Sequence, residues 1–122
     1  MSVPCPFILG KSAMPTIIVL ERHSPETCAW LNEEIRKADW YISREKHPAL
    51  LEKHGIKRLG AWYIEPTEHL SIYVYDVPSL DAFQKYLLEP DLRNWIAHQV
   101  AYEVKVAMTG EDAKNYCLGK PP

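Results

Sequence analysis

The sequence predicts an α+β domain in which elements ordered β-α-β-β-α-β build one antiparallel sheet with helices on one face. Three observations predict it. Leu59–Glu65 and His69–Asp76 are aromatic and β-branched runs separated by Pro66-Thr67-Glu68, which is a hairpin signal. A helical pattern starts at Ser79 and is followed by the alternating run Tyr102–Met108. Upstream, the strand-like segment Thr16–His23 runs into a helix-start signal at Ser24.

The first helix is expected from Ser24 as N-cap, with Pro25 at the first helical position and Glu26 in the first turn. Cys28, Leu31, Ile35, Ala38 and Ile42 then share one face, while Glu33 and Lys37 pair across the outer face. Pro48 ends that pattern. A short helical piece from Pro48 to His54 stops at Gly55, a natural C′ residue. After the hairpin, Leu80, Phe83 and Leu87 supply the buried stripe of the next helix. Pro90 breaks it, and a separate turn or two follows with Leu92, Trp95 and Ile96. The order of these elements is the ferredoxin-like one.

The domain is expected to span 16–109, with extensions at 1–15 and 110–122. At 122 residues the chain is long enough for one two-layer core. Its 14 basic residues are dispersed against 16 acidic ones, so it lacks the basic stripe a nucleic-acid partner would require. No apolar run approaches membrane-spanning length, and residues 1–13 do not make a convincing signal peptide. Three unpatterned cysteines, Cys5, Cys28 and Cys117, fit a reducing cytoplasm and argue against a disulfide framework or a zinc knuckle.

Centring the hairpin on Thr67 sets the register of the two strands. Ile64 then faces Leu70, Tyr63 faces Ser71 and Trp62 faces Ile72, with Glu65 opposite His69. Alternation separates an apolar face (Trp62, Ile64, Leu70, Ile72, Val74) from a tyrosine-rich one (Tyr63, Glu65, His69, Ser71, Tyr73, Tyr75). The apolar face is expected to lie against the helices, and the tyrosine face to be covered by a second subunit.

The element order, the Gly60-Ala61-Trp62-Tyr63 strand, the helix entry Val77-Pro78-Ser79-Leu80-Asp81-Ala82 and the terminal strand Tyr102–Thr109 resemble the dimeric α+β barrel superfamily. They resemble in particular its small archaeal and bacterial members. The resemblance covers about Thr16–Thr109 and implies two sheets packed face to face across a two-fold axis, with helices outside. The superfamily includes cofactor-free monooxygenases, muconolactone-type isomerases, haem-handling proteins and effector-binding domains, so it leaves the activity open.

In the usual ferredoxin-like strand order one sheet edge gathers Glu21, His23, Glu65 and His69, with His98 and Tyr102 near it. Imidazoles beside carboxylates can transfer protons near neutral pH, which makes His23, Glu65 and His69 the candidate catalytic residues. Tyr63, Tyr73, Tyr75 and Glu21 are the candidate ligand contacts. The same imidazoles and carboxylates suit a divalent metal, but no ligand-spacing motif is present and no metal is assigned. Trp40, Tyr41, His47 and His54 could frame a haem; the histidines also fit simple helix-end roles, and no cofactor is named. Cys28, on the buried helix stripe, is read as inert, and Trp30 and Trp95 as core or margin residues.

The sequence thus reads as a cytoplasmic homodimer that binds a small molecule between sheet and helices, any catalysis being acid–base work on a small organic substrate. The alternative is a non-enzymatic effector-sensing or protein-interaction module. A weaker one is a haem-binding or monooxygenase-like protein.

Overall fold

The computed structural model describes residues 15–41, 45–65 and 67–119, without the side chains of 39–41. Four strands form one antiparallel sheet: β1 (Thr16–Arg22), β2 (Lys57–Ile64), β3 (Leu70–Asp76) and β4 (Ala101–Ala107), in the spatial order β2-β3-β1-β4. Helices α1 (Glu33–Tyr41) and α2 (His47–Lys53) lie between β1 and β2 in sequence. Helices α3 (Leu80–Leu87) and α4 (Pro90–Ile96) lie between β3 and β4, and α5 (Gly110–Cys117) follows β4. The expected β-α-β-β-α-β order is therefore present, and the sheet closes in the ferredoxin-like way with β1 central.

The hairpin register is the expected one: Trp62 pairs with Ile72, Tyr63 with Ser71 and Ile64 with Leu70. Further along, Leu59 is an extra residue, because Gly60 pairs with Val74 while Arg58 pairs with the adjacent Tyr75. A bulge of this kind turns the strand beyond it. Here it brings Arg58 onto the face that carries Tyr75.

The covering of the two faces is the reverse of the expectation. Ile17 and Val19, fully buried on β1, pair directly with Tyr75 and Tyr73, so they share the tyrosine face. That face packs against the helices. Its core joins Ile17, Val19 and Tyr75 to Ile56, Val77, Phe83, Tyr86 and Leu92, with Leu50, Leu51 and Ile96 against it. Counting aliphatic side chains favoured the wrong face, because phenols can also form a core when their hydroxyls bond one another. The opposite face holds Ile18, Leu20, Ile72 and Val74, all half-buried, with Trp62 54% and Ile64 36% exposed. The Trp62 ring lies over Gly60, where a Cβ would stand 2.5 Å from the indole; only glycine leaves it that seat.

Two local expectations also fail. Ser24 begins only a 3₁₀ turn, Pro25–Thr27. The helix proper starts after Asn32, whose side-chain oxygen accepts from the N–H groups of Glu34 (3.0 Å) and Ile35 (3.2 Å). Cys28 consequently lies in the loop between them and not on a helix stripe, and Trp30, expected in the core, is 63% exposed. Helices α2 to α4 start and stop close to where the sequence indicates, whereas α5 forms in the segment read only as a C-terminal extension. Ser79 caps α3 by accepting from Ala82 N–H at 3.0 Å, and Gly55 ends α2 with φ +67°. Ile42 and residues 1–14 lie outside the described residues. No helix among the described residues is long and apolar enough to cross a membrane.

Candidate functional site

Two clusters stand in succession along the tyrosine face. Pairing across the sheet arranges its residues in rungs: Ile17 with Tyr75, Val19 with Tyr73, and Glu21 with Ser71 and Tyr102. Tyr63 joins the Glu21 rung through Ser71. The next rung lies two residues on, about 7 Å further. It holds His23, His69 and Glu65, at the hairpin end of the sheet.

The first cluster forms a cleft between the sheet and helices α2–α4. It is open to solvent on one side and is lined by Glu21, Arg58, five tyrosines (Tyr63, Tyr73, Tyr75, Tyr86, Tyr102), His47, Leu92 and Trp95. Tyr63 meets Tyr73 edge-on at 6.0 Å between centroids, and Tyr73 stacks on Tyr75 at 6.2 Å. The Tyr75 and Tyr86 rings meet edge-on at 6.3 Å between centroids, and the Tyr86 hydroxyl lies 2.6 Å from His47 Nε2. Burial, with Arg58 adding to it, holds the His47 imidazole down to about 4. His47 is therefore neutral at physiological pH and shares a hydrogen bond with the Tyr86 hydroxyl. Burial first, and the Glu21 carboxylate second, push the phenols of Tyr73 and Tyr102 far above their ordinary range. Burial does the same for Tyr75 and Tyr86. The cleft thus presents neutral hydroxyl donors, a cation at Arg58 and a carboxyl group, Glu21, on a residue only 5% exposed.

The second cluster contains His23 just past β1, Cys28 past the 3₁₀ turn, Glu65 at the end of β2 and His69 just before β3. The Glu65 side chain is 2% exposed. Its Oε1 lies 3.0 Å from His23 Nε2, and its Oε2 lies 3.3 Å from His69 Nδ1 and 3.5 Å from Cys28 Sγ. The two imidazoles meet edge-on at 5.1 Å. The carboxylate–imidazole contacts are short but misaligned: His23 Nε2, Glu65 Oε1 and His69 Nδ1 are buried and none makes a hydrogen bond of acceptable geometry. Burial raises the Cys28 thiol, and the neighbouring carboxylate adds to that effect. His69 holds φ +52°, a left-handed backbone that a non-glycine residue seldom adopts.

The structure therefore divides the residues singled out in the sequence. Tyr63, Tyr73, Tyr75 and Glu21 all line the cleft. His23, Glu65 and His69 come together, one rung away, and line none of it. His98 does not join them; it is exposed and its Nδ1 bonds the Asn94 carbonyl at 2.8 Å. Of the haem-frame residues, His47 lines the cleft and His54 bonds Glu89 at 2.8 Å. The side chains of Trp40 and Tyr41 lie outside the described residues. Sequence reasoning missed Arg58, which only the bulge turns inward. It also missed Trp95, read as a core or margin residue with no ligand contact, and Cys28, read as inert. Proximity of Cys28 to Glu65 has no sequence signal, because 37 positions separate them.

No family model matches the sequence, and no curated protein matches it. Among solved structures, the chain is similar to an uncharacterised NIPSNAP-like domain protein from Burkholderia xenovorans. The TM-score is 0.53 at 12% identity, covering 80% of this chain and 85% of that one. It is also similar to a dimeric ferredoxin-like protein from an uncultured marine organism, with a TM-score of 0.50 at 13% identity, covering 83% and 92%. The likeness, with the strand order and the helices on one face, shows that the chain has the ferredoxin-like α+β fold.

Proposed function

We propose that the protein binds a small organic molecule in the tyrosine-lined cleft, with Glu21 and Arg58 recognising its polar end. The observation that carries this is that a buried acidic residue and an arginine line one cleft among packed phenols. The ring walls favour a flat, largely apolar body. A hydroxyl or amine of the ligand suits Glu21, and a carbonyl or carboxylate suits Arg58 and the phenol donors. Glu21, the carboxyl group lining the cleft, is the group placed for any proton transfer on that ligand.

The test is a ligand-observed NMR screen of small aromatic molecules bearing hydroxyl, carbonyl or carboxyl groups. Molecules that bind the wild type should bind Glu21→Gln and Arg58→Met at least ~10-fold more weakly, the scale of one lost charge-assisted hydrogen bond. Equal affinity for all three proteins would contradict the assignment.

A second copy of the chain covers the opposite face of the sheet. That face has an apolar centre of Ile18, Leu20, Ile72, Val74 and Trp62, and charged residues (Glu103, Lys105 and Arg22) at its margin. Such an anatomy fits a subunit interface. The ferredoxin-like neighbour from the marine organism is itself described as dimeric.

A further inference from the structure

We propose that His23, Cys28, Glu65 and His69 form a closed four-ligand site for a borderline divalent transition ion, Zn²⁺ foremost. This goes beyond the cleft reading and stands independently of it, since none of the four residues lines the cleft.

Geometry is the first support. One ligand atom from each residue (an imidazole nitrogen from each histidine, the Cys28 sulfur and a Glu65 oxygen) lies within 4.8 Å of all the others. A tetrahedral zinc ion with bonds of about 2.0–2.3 Å requires ligand separations of roughly 3.3–3.8 Å. Glu65 Oε2 already lies at that spacing from His69 Nδ1 (3.3 Å) and Cys28 Sγ (3.5 Å), while Oε1 stands slightly nearer His23 Nε2, at 3.0 Å.

The second support is a set of polar atoms without hydrogen bonds. Glu65 is nearly sealed from solvent, yet its Oε1 and the facing nitrogens of His23 and His69 lack hydrogen bonds of acceptable geometry. Leaving such groups unsatisfied is costly. Atoms that crowd together without bonding one another are placed as ligands around a common centre.

The donor set selects the ion. Sulfur and imidazole disfavour Mg²⁺ and Ca²⁺, which take oxygen ligands. A divalent ion binding the Cys28 thiolate and the Glu65 carboxylate, with two neutral imidazoles, gives zero net charge, as a buried site requires. Binding displaces the thiol proton of Cys28 to solvent, so each ion bound releases one proton there. Four protein ligands leave no open position, which marks the site as structural. It would tie the end of β1 and the loop after it to the β2–β3 hairpin, and hold His69 in its left-handed backbone.

The experiment titrates Co²⁺ into the full chain after dialysis against a chelator. One equivalent should bind, with the intense visible bands of four-coordinate cobalt and a near-ultraviolet thiolate-to-cobalt charge-transfer band, both bleached by equimolar Zn²⁺. Cys28→Ser should abolish the charge-transfer band, whereas Cys117→Ser and Cys5→Ser should leave it. His69→Asn, which tolerates the same backbone, should weaken Co²⁺ binding by more than the roughly 100-fold that an outer partner can account for. Absence of saturable binding at one equivalent would overturn the proposal. So would a charge-transfer band that survives Cys28→Ser, or unchanged affinity in His69→Asn.

Discussion

At the scale of single residues, the cleft depends on groups whose charge state is set by burial. His47 is the clearest case. It sits among Arg58 on β2, Tyr75 on β3, Tyr86 on α3 and Glu21 on β1, and its imidazole is held down to about 4 from an ordinary 6.5. The unfolded chain therefore takes up the proton first as the pH falls. Stability from this group is complete above about pH 6.5 and is lost progressively towards pH 4, a change on the order of 3 kcal/mol. Urea melts from pH 7 to pH 4 should show that loss in the wild type and a shallower one in His47→Gln, which cannot titrate but can still accept from Tyr86. Parallel curves for the two proteins would count against it. The same scale shows what the sequence concealed. Tyr63, Tyr73 and Tyr75 were legible as one face because strand alternation is strict, whereas Glu21 joins them only through the pairing of β1 with β3. Arg58 was not, because a one-residue bulge reverses its side and leaves no compositional mark.

Among the elements, the hairpin and the two later helices were readable because their signals are local. Ser79 caps, Pro90 restarts, and Gly55 stops a helix whatever lies beyond them. The first helix was misread because two N-terminal signals compete: Ser24-Pro25 looks stronger on paper, but Asn32 satisfies two backbone donors where Ser24's side chain satisfies none. That error displaced Cys28 from a loop onto a buried stripe and so hid its place beside Glu65. The question of which sheet face meets the helices was a different kind of error. It depends on what α3 and α4 present, and Phe83, Tyr86 and Leu92 complement a phenol surface better than an aliphatic one. The pairing of Ile17 and Val19 with Tyr75 and Tyr73 was the missing information, and it is non-local.

For the whole molecule, the two faces of one sheet carry different tasks. The tyrosine face makes the core and the cleft, and the aliphatic face, with Trp62 half out, is the one proposed to meet a partner copy. Trp62→Glu should therefore turn a dimer into a folded monomer, read by native mass spectrometry with far-UV circular dichroism unchanged. Placing a charge at the centre of a desolvated interface weakens it by ~10-fold or more. An unaffected dimer would move the interface elsewhere. Tyr73→Glu, by contrast, should unfold the chain, since it places that charge in the packed helix–sheet layer. The central claim is that the tyrosine face, and not the aliphatic one, receives the ligand. The most direct measurement is an aromatic and methyl ¹H–¹³C NMR map of the protein as a bound aromatic fragment is titrated in. The account predicts shifts at Tyr63, Tyr73, Tyr75, Tyr86, Tyr102 and Trp95, with Trp62, Ile72 and Val74 unmoved. Shifts confined to Trp62, Ile72 and Val74 would contradict it.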